Sequence, residues 1–382
     1  MAFDSLAPTI RIQVEGIDLD VEVTQYVTKC VVELTVDMAD KITLTVLNPQ
    51  TNTLGSGYTG AFAFTDSKVF QPGNTILVYM GYGANEALVG AGVIQKYLPR
   101  FPQDGPAMLT IMAYDGSVLM MDGETSREGR VWENTAHEDV VIEVVNDYNF
   151  AGDVAVGTAT EKNTTKKRGM SDWELVSGLA RLHNFDCKVV WDEGSGLWKL
   201  HWGTPFWVQD KTYTFTYIVN GQDSTLLSFE PEMAITGQPS TVQVLYWDQD
   251  TRTWEKVEIK EDKEGESIKF TGSGALEDEI TSSTQYRLSA SGIAVDVIPG
   301  VHFDTAEDAQ LFAERFFRAR KDQFITARGK CIGLETLKAG HIHTIAGVGT
   351  QLSGDYEFTT VRHVFDAQSG YVCEFFAHKV LD

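Results

Sequence analysis

The sequence is short of cysteine and proline, has no long apolar run, and carries far less basic than acidic charge. Its 382 residues hold four cysteines, Cys30, Cys187, Cys331 and Cys373, none at C-x-x-C spacing. That excludes a disulfide scaffold and a zinc ribbon. Cys30, Cys331 and Cys373 sit in apolar, strand-like surroundings and read as buried free thiols. The longest apolar runs, such as Val140–Val145, fall well below a membrane span, so no membrane insertion is expected. The N-terminus, MAFDSLAPTIRIQ, lacks the basic stretch and apolar run of a secretory leader, which implies synthesis and assembly in a cytoplasm. Lysine and arginine number 31 against 54 acidic residues, a net charge of -23. Such a balance repels a phosphate backbone and argues against specific nucleic-acid binding. It suits a wall past which DNA slides without sticking, and solubility alone explains it equally well.

What is present is a duplicated β-pattern. Pro72–Asp115 and Ala339–Lys379 repeat one order of signals. Each opens on a small residue and glycine, runs through an alternating strand into G-x-G (Gly81-Tyr82-Gly83, Gly347-Val348-Gly349), and closes a short loop on Gly90 or Gly354. A long strand, a turn at Gly105 or Gly370 and a last strand follow. G-x-G here lacks the third glycine and the helix of a dinucleotide site, and fits tight strand ends that need φ > 0.

Before the first copy, 9–15, 27–36 and 41–47 alternate apolar and polar residues as half-buried strands do. Strands 75–82, 86–99 and 107–114 complete a six-stranded antiparallel barrel or sandwich. The pattern then turns helical. Thr135-x-x-Glu138 and Ser171-x-x-Glu174 read as capping boxes opening two helices. Strands 185–191 and 196–202 form a hairpin around Asp192–Ser195. Between the helices, Lys166-Lys167-Arg168 is the one compact basic cluster; it reads as a solvated loop, with docking to an acidic partner as the alternative. Strands at 213–218, 224–234 and 241–247 mirror the first three of the chain, 253–260 is a charged hairpin-like stretch, and 261–303 is a polar insertion. Asp304-x-x-Glu307 opens a helix whose face is Ala309, Phe312, Ala313, Phe316 and Phe317. Strand 326–333 leads into the second copy.

The fold class that follows is mainly β with an α+β insertion: two homologous antiparallel β-barrels, the second interrupted. The expected parts are a first tube-like barrel (1–116), an α+β domain (117–212), the first part of a second barrel (213–248), an insertion (249–303), and a helix with the remainder of the second barrel (304–382). A trimer of such a chain presents six quasi-equivalent modules around an axis, although internal repeats also arise in monomers.

The ordered motifs Gly81–Asp115, Ser171–Arg181 (S-D-W-E-L-x-x-x-L-A-R), Leu227–Asp248 and Leu337–Tyr356 resemble the baseplate hub protein of contractile phage tails, the late control protein D family. They are also similar to the N-terminal hub part of type VI secretion spike proteins and to hubs of phage-like extracellular injection systems. The resemblance implies a homotrimer of pseudo-six-fold symmetry in the virion tail baseplate, assembled in the host bacterial cytoplasm. It implies contacts with a hexameric tail tube or tube-initiator protein, a trimeric spike, inner baseplate proteins and the tape-measure protein. The chain stops at Asp382 without a β-helix needle, so the spike is expected to be a separate protein.

Chemistry is weakly signalled. His341 and His343 alternate on a strand, with His363 and His378 on later strands, and a metal site there is sterically conceivable; ordinary strand positions explain them better. No carboxylate pair stands out for a glycosidase, so a cell-wall-active tail-tip protein is the rival class. Trp132, Trp202, Phe206, Trp207 and Trp254 flank loops and are either core or interface anchors. No catalytic, cofactor or metal residue is assigned, and the chain is not expected to be an enzyme. Inter-subunit contacts are assigned to the two long strands, at Val89, Val93, Gln95 and Tyr97 and at Tyr356, Phe358, Thr360 and Arg362.

Overall fold

A computed structural model describes residues 7–380 except 20–23, 51–60, 84, 122–128, 157–161, 184, 205–211, 219–223, 235–240, 249–252, 261–294 and 302–308, together with 311, 315, 318–319 and 321–322. The first β-module comprises β1 (Pro8–Val14), β2 (Ile17–Asp18), β3 (Val27–Thr35), β4 (Lys41–Leu47), β5 (Thr75–Tyr82), β6 (Asn85–Arg100) and β7 (Met108–Tyr114). Strand β4 shows why these residues form strands. Lys41, Thr43, Thr45 and Leu47 are half-buried while Ile42, Leu44 and Val46 are buried, the period of two that puts alternate side chains on opposite faces.

An α+β unit follows: β8 (Val131–Thr135), α1 (His137–Asn146), β9 (Ala151–Val154), β10 (Lys162–Thr165), α2 (Asp172–Leu182), β11 (Asp186–Asp192) and β12 (Leu197–Gly203). Strands β11, β12 and β9 make one small sheet, and β10 with β8 another. Ser171 caps α2 through a reciprocal capping box with Glu174, as its spacing predicts. The box expected at Thr135 does not form. Ala136 is the N-cap, without a side-chain bond, because Thr135 is still the last paired residue of β8, opposite Lys162. The unit's core, Val140, Val144, Leu179, Val189, Leu200 and Trp202, also takes in Val93 of β6. Lys188 ties the unit down, donating to the Thr35 carbonyl at 2.7 Å and to Asp40 at 2.9 Å.

The second β-module is β13 (Thr214–Thr216), β14 (Leu226–Met233), β18 (Ile325–Ile332), β19 (Ile342–Ala346), β20 (Gly354–Asp366) and β21 (Gly370–Lys379). It is interrupted by a separate three-stranded sheet of β15 (Thr241–Asp248), β16 (Thr253–Lys260) and β17 (Val295–Val301). Helical residues from Ala309 pack on Val242 and Val244 of that sheet. The Asp304 cap lies outside the described residues.

The two modules share one strand order. In the first the sheet runs β1-β5-β6-β7-β4-β3, and in the second β13-β19-β20-β21-β18-β14. Numbered by position in each module, with the two-residue β2 left out, both read first, fourth, fifth, sixth, third, second. Even the irregularities coincide. A register shift between Val27 and Lys29 in β3 matches one between Leu226 and Ser228 in β14, and that at Ile94/Lys96 in β6 matches that at Phe358/Thr360 in β20. Following these registers, Gly90 and Gly354 take equivalent rungs, as do Tyr114 and His378. One difference is sense: β1 pairs β5 antiparallel, whereas the short β13 pairs β19 parallel.

The mainly β chain with an α+β insertion and two like modules is the architecture the sequence predicts. The described strands do not close two separate barrels. The modules are instead fused: β20 pairs β3 antiparallel from Thr360 opposite Thr35 to Asp366 opposite Lys29, giving one 13-stranded sheet. One apolar core runs beneath both modules, from Ile12 and Leu44 to Phe358 and Phe375. At the G-x-G turns, Gly83, Gly347 and Gly349 have the positive φ their place requires. Gly81 does not; a Cβ there would lie 1.9 Å from the Asn85 carbonyl oxygen, so glycine is fixed by close approach. Among the described residues, no helix is long and apolar enough to cross a membrane.

Candidate functional site

The junction between the modules is the best-defined polar surface of the sheet. One rung crosses five strands as Lys330, Glu374, Arg362, Glu33 and Lys41, in alternating sign. Arg362 reaches Glu33 at 3.0 Å and Glu374 at 3.1 Å, and Lys330 stands 4.0 Å from Glu374. Opposite charges facing across strands favour one register, and here they span the boundary between β20 and β3. Lys29, Lys41 and Arg362, with Glu33 and three half-buried apolar or hydroxyl side chains, line a shallow depression on this face of about 290 Å³.

Among the described residues, two of the strand stretches with one unpaired side belong to the modules' long sheet path. Strand β14 ends the sheet path beyond β18, and Gln95–Arg100 of β6 pairs only with β7 on one side. These are the positions equivalent to β3 and to the Thr360–Asp366 half of β20, which pair with each other inside the chain. Exposed apolar side chains collect there: Leu98 is 46% exposed, Phe101 52%, Leu227 47% and Met233 41%. A cleft lined by Leu227, Phe229, Pro231, Tyr217 and Val348 runs along β14. Unpaired backbone with exposed apolar side chains is an edge that takes another strand.

The residues assigned to contacts from sequence divide between core and edge. Val89, Tyr356 and Phe358 are buried in the main core, and Val93 is buried against the α+β unit. The Tyr356 hydroxyl donates to the Leu352 carbonyl at 2.7 Å. Thr360 and Arg362 lie in the junction, opposite Thr35 and Glu33. Gln95 is exposed and Tyr97 half-buried, its hydroxyl donating to the Thr65 carbonyl at 2.9 Å; both belong to the open part of β6. Strand β14, expected as a strand at 224–234, was not assigned to a contact. Its signal was the equivalence to β3, which becomes readable only when the partner of β3 is known. Trp132 and Trp202 are core residues, while the burial of Phe206, Trp207 and Trp254 lies outside what is described.

Of the four histidines His341, His343, His363 and His378, the last three lie in strands, while His341 precedes β19 rather than sharing it with His343. His363 and His343 are fully buried, and His378 stands 3.4 Å from Glu357. His363 makes 2.7 Å and 2.9 Å contacts to the Tyr371 hydroxyl and the Leu337 carbonyl, with the Cys373 sulfur 3.5 Å from Nδ1. Among the described residues, no group of three or more His, Cys, Asp or Glu side chains is placed to hold a metal. The four cysteines are free, and Cys30, Cys331 and Cys373 are buried.

Two buried groups give the stability a pH signature. Burial, then the proximity of His341, pushes His343 down to about 4; its Nδ1 accepts from the Tyr213 N–H, and its Nε2 finds no partner. A depressed histidine contributes stability above its unfolded value near 6.5, which is lost as pH falls towards 4. Burial, then the charge of Asp40, pushes Asp115 up to about 6. A raised carboxyl works the other way, adding stability as pH falls from 6 towards its unfolded value near 4. The two effects oppose each other in one window. His343→Phe should therefore gain on the wild type progressively between about pH 6.5 and pH 4 in urea melts, and Asp115→Asn should lose ground. A difference that is flat across that window would show that neither group is shifted.

Of the comparisons with known proteins, the solved structures bear on fold. The family model described as the Alg8 N-terminal domain matches residues 5–366. No curated protein matches the sequence. Among solved structures, the tail protein from Neisseria meningitidis MC58 superposes with a TM-score of 0.68 at 10% identity, covering 98% of this chain and 97% of that one. The 43 kDa tail protein of prophage MuSo2 from Shewanella oneidensis gives 0.66 at 11% identity, with 98% of each chain covered. An E. coli component of the type VI secretion system, described as structurally similar to the T4 bacteriophage tail proteins gp27 and gp5, gives 0.53 at 10% identity over 97% of this chain and 77% of that one. The matched family model is not the late control protein D family that the motifs resemble; the solved structures share the fold expected from that resemblance.

Proposed function

We propose that this chain, which belongs to the Alg8 N-terminal domain family, is a structural hub of a contractile tail baseplate. In this reading it is a homotrimer whose six modules adapt a hexameric tail tube to a trimeric spike around a channel for DNA or the tape-measure protein. The carrying observation is the repeated strand order, with the two modules already joined edge to edge and the equivalent edges left open. A chain built this way repeats its own junction each time a copy is added. The role is geometric and contains no catalytic step. Tail tube, spike and inner baseplate proteins are its proposed neighbours, the virion its place, and a hub of the late control protein D kind its closest description. The domain boundaries are proposed as 1–116, 117–212, 213–248, 249–303 and 304–382, except that Thr241–Asp248, expected to mirror a strand of the first module, pairs with the interrupting sheet and the module's third strand is Ile325–Ile332.

The proposed channel wall differs in one respect from the acidic surface that net charge -23 first invites. On the polar face of the fused sheet, acidic and basic side chains alternate and nearly balance, as in the Lys330–Glu374–Arg362–Glu33–Lys41 rung. A wall of that kind repels DNA less than an acidic one and also gives it no continuous basic track. Light scattering tests the hub. It should give about three times the chain mass of 42.3 kDa, either for the chain alone or on addition of its spike. A chain that stays monomeric with the spike present, or that cleaves cell-wall glycan, would overturn the reading.

A further inference from the structure

Building on that hub reading, we infer that the open edge of β14 pairs antiparallel with Gln95–Arg100 of β6 and the adjoining Phe101 in a second copy of this chain, Glu230 opposite Arg100 and Glu232 opposite Leu98. The register comes from the molecule itself. Inside the chain, Arg362 faces Glu33, Val364 faces Val31 and Phe365 faces Cys30. The shared strand order and matching register shifts make Leu98, Arg100 and Phe101 the counterparts of Arg362, Val364 and Phe365. They likewise make Glu232, Glu230 and Phe229 the counterparts of Glu33, Val31 and Cys30.

Side chains that played no part in this alignment agree with it. The β14 edge exposes two acids, Glu230 and Glu232, while the β6 edge exposes two bases, Lys96 and Arg100. Each edge would repel a copy of itself and attract the other, so the contact is head-to-tail. On the opposite face the register sets Met233 against Tyr97 and Phe229 against Phe101, bringing together apolar groups that are exposed or half-covered in one copy.

The same register explains two prolines. The Ala234 N–H donates to the carbonyl of Phe324, just before β18, so by alternation the Pro231 nitrogen points outward. Pro99 is the counterpart of His363, whose N–H is directed at β3 by alternation from the bonded Val36–Thr359 pair. Pro231 and Pro99 therefore meet, and that rung makes no hydrogen bond. The contact between copies holds a shorter ladder than the junction within the chain, and neither edge can template an arbitrary strand along its full length.

The test uses the full chain carrying Leu98→Cys and Glu232→Cys, oxidised with copper phenanthroline. Non-reducing gels should show covalent species that stop at three chains, with neither single variant giving them. If the pair fails to cross-link while light scattering reports a three-chain mass, the edge inference is overturned and the hub stands. A ladder continuing past three chains would keep the edge and overturn the closed hub. As a second measure, Arg100→Glu should weaken self-association at least tenfold, and adding Glu230→Arg should restore it. Equal weakness in the single and double variants would also overturn the pairing.

Discussion

Phe358→Ala should cost the isolated chain about 3–5 kcal/mol in denaturant melts, the range for truncating a large buried aromatic. Phe358 is fully buried. Its ring stacks on Phe375 with centroids 4.1 Å apart and planes 12° from parallel, and lies 5.9 Å from Phe215. The edge of His343 meets it at 4.9 Å. Removing it opens a void between β13, β19, β20 and β21, and offset-stacked rings lose their pairwise contribution as well. The prediction separates two roles for one residue. As an inter-subunit contact, Phe358 would leave the melt of the dissociated chain unchanged and alter only association. As a core residue, it lowers the melt at every protein concentration. Thr360→Ala, two residues along the same strand, should shift that melt by about 1 kcal/mol or less, since its side chain is half-exposed at the junction.

The contrast shows what the sequence makes legible. Alternation identified the strands, because Ile42, Leu44 and Val46 must share a face whatever their neighbours are. The duplication was equally plain, since G-x-G turns and closing glycines recur in order. Strand pairing was not legible. Nothing in Thr360–Asp366 states that its partner is Lys29–Thr35 rather than a strand of another chain, because an edge hydrogen-bonds through backbone that is the same in every residue. The long strands read as contacts between copies, whereas Thr360–Asp366 is paired on both sides inside the chain; that partner, the open part of β6 and the edge at β14 required the fold. Chemistry at the site was legible in a limited way. The charges of Glu33 and Arg362 could be read, and their opposition could not.

Burial of charge was the other illegible quantity, and Lys166 is the case in which it matters most. The run Lys166-Lys167-Arg168 reads as solvated, yet Lys166 is fully buried while its two neighbours are exposed. The period of two explains this: Thr164 is buried in β10, and Lys166 continues the same face, its backbone still bonded to Gly129 and Arg130. Its ammonium meets Asp172 at 2.7 Å, and the Tyr148 hydroxyl donates to the other carboxylate oxygen at 2.7 Å. Both charged side chains are 0% exposed. Lys166→Met should therefore cost about 3–5 kcal/mol, because it leaves the Asp172 carboxylate desolvated without its cation. Lys166→Met with Asp172→Asn should recover most of that loss, since Asn still accepts from Tyr148 and no charge remains inside. Urea melts of the three proteins decide it. A double variant as unstable as Lys166→Met would mean that the ion pair contributes net stability beyond its own desolvation, and that the α+β unit depends on the charge itself.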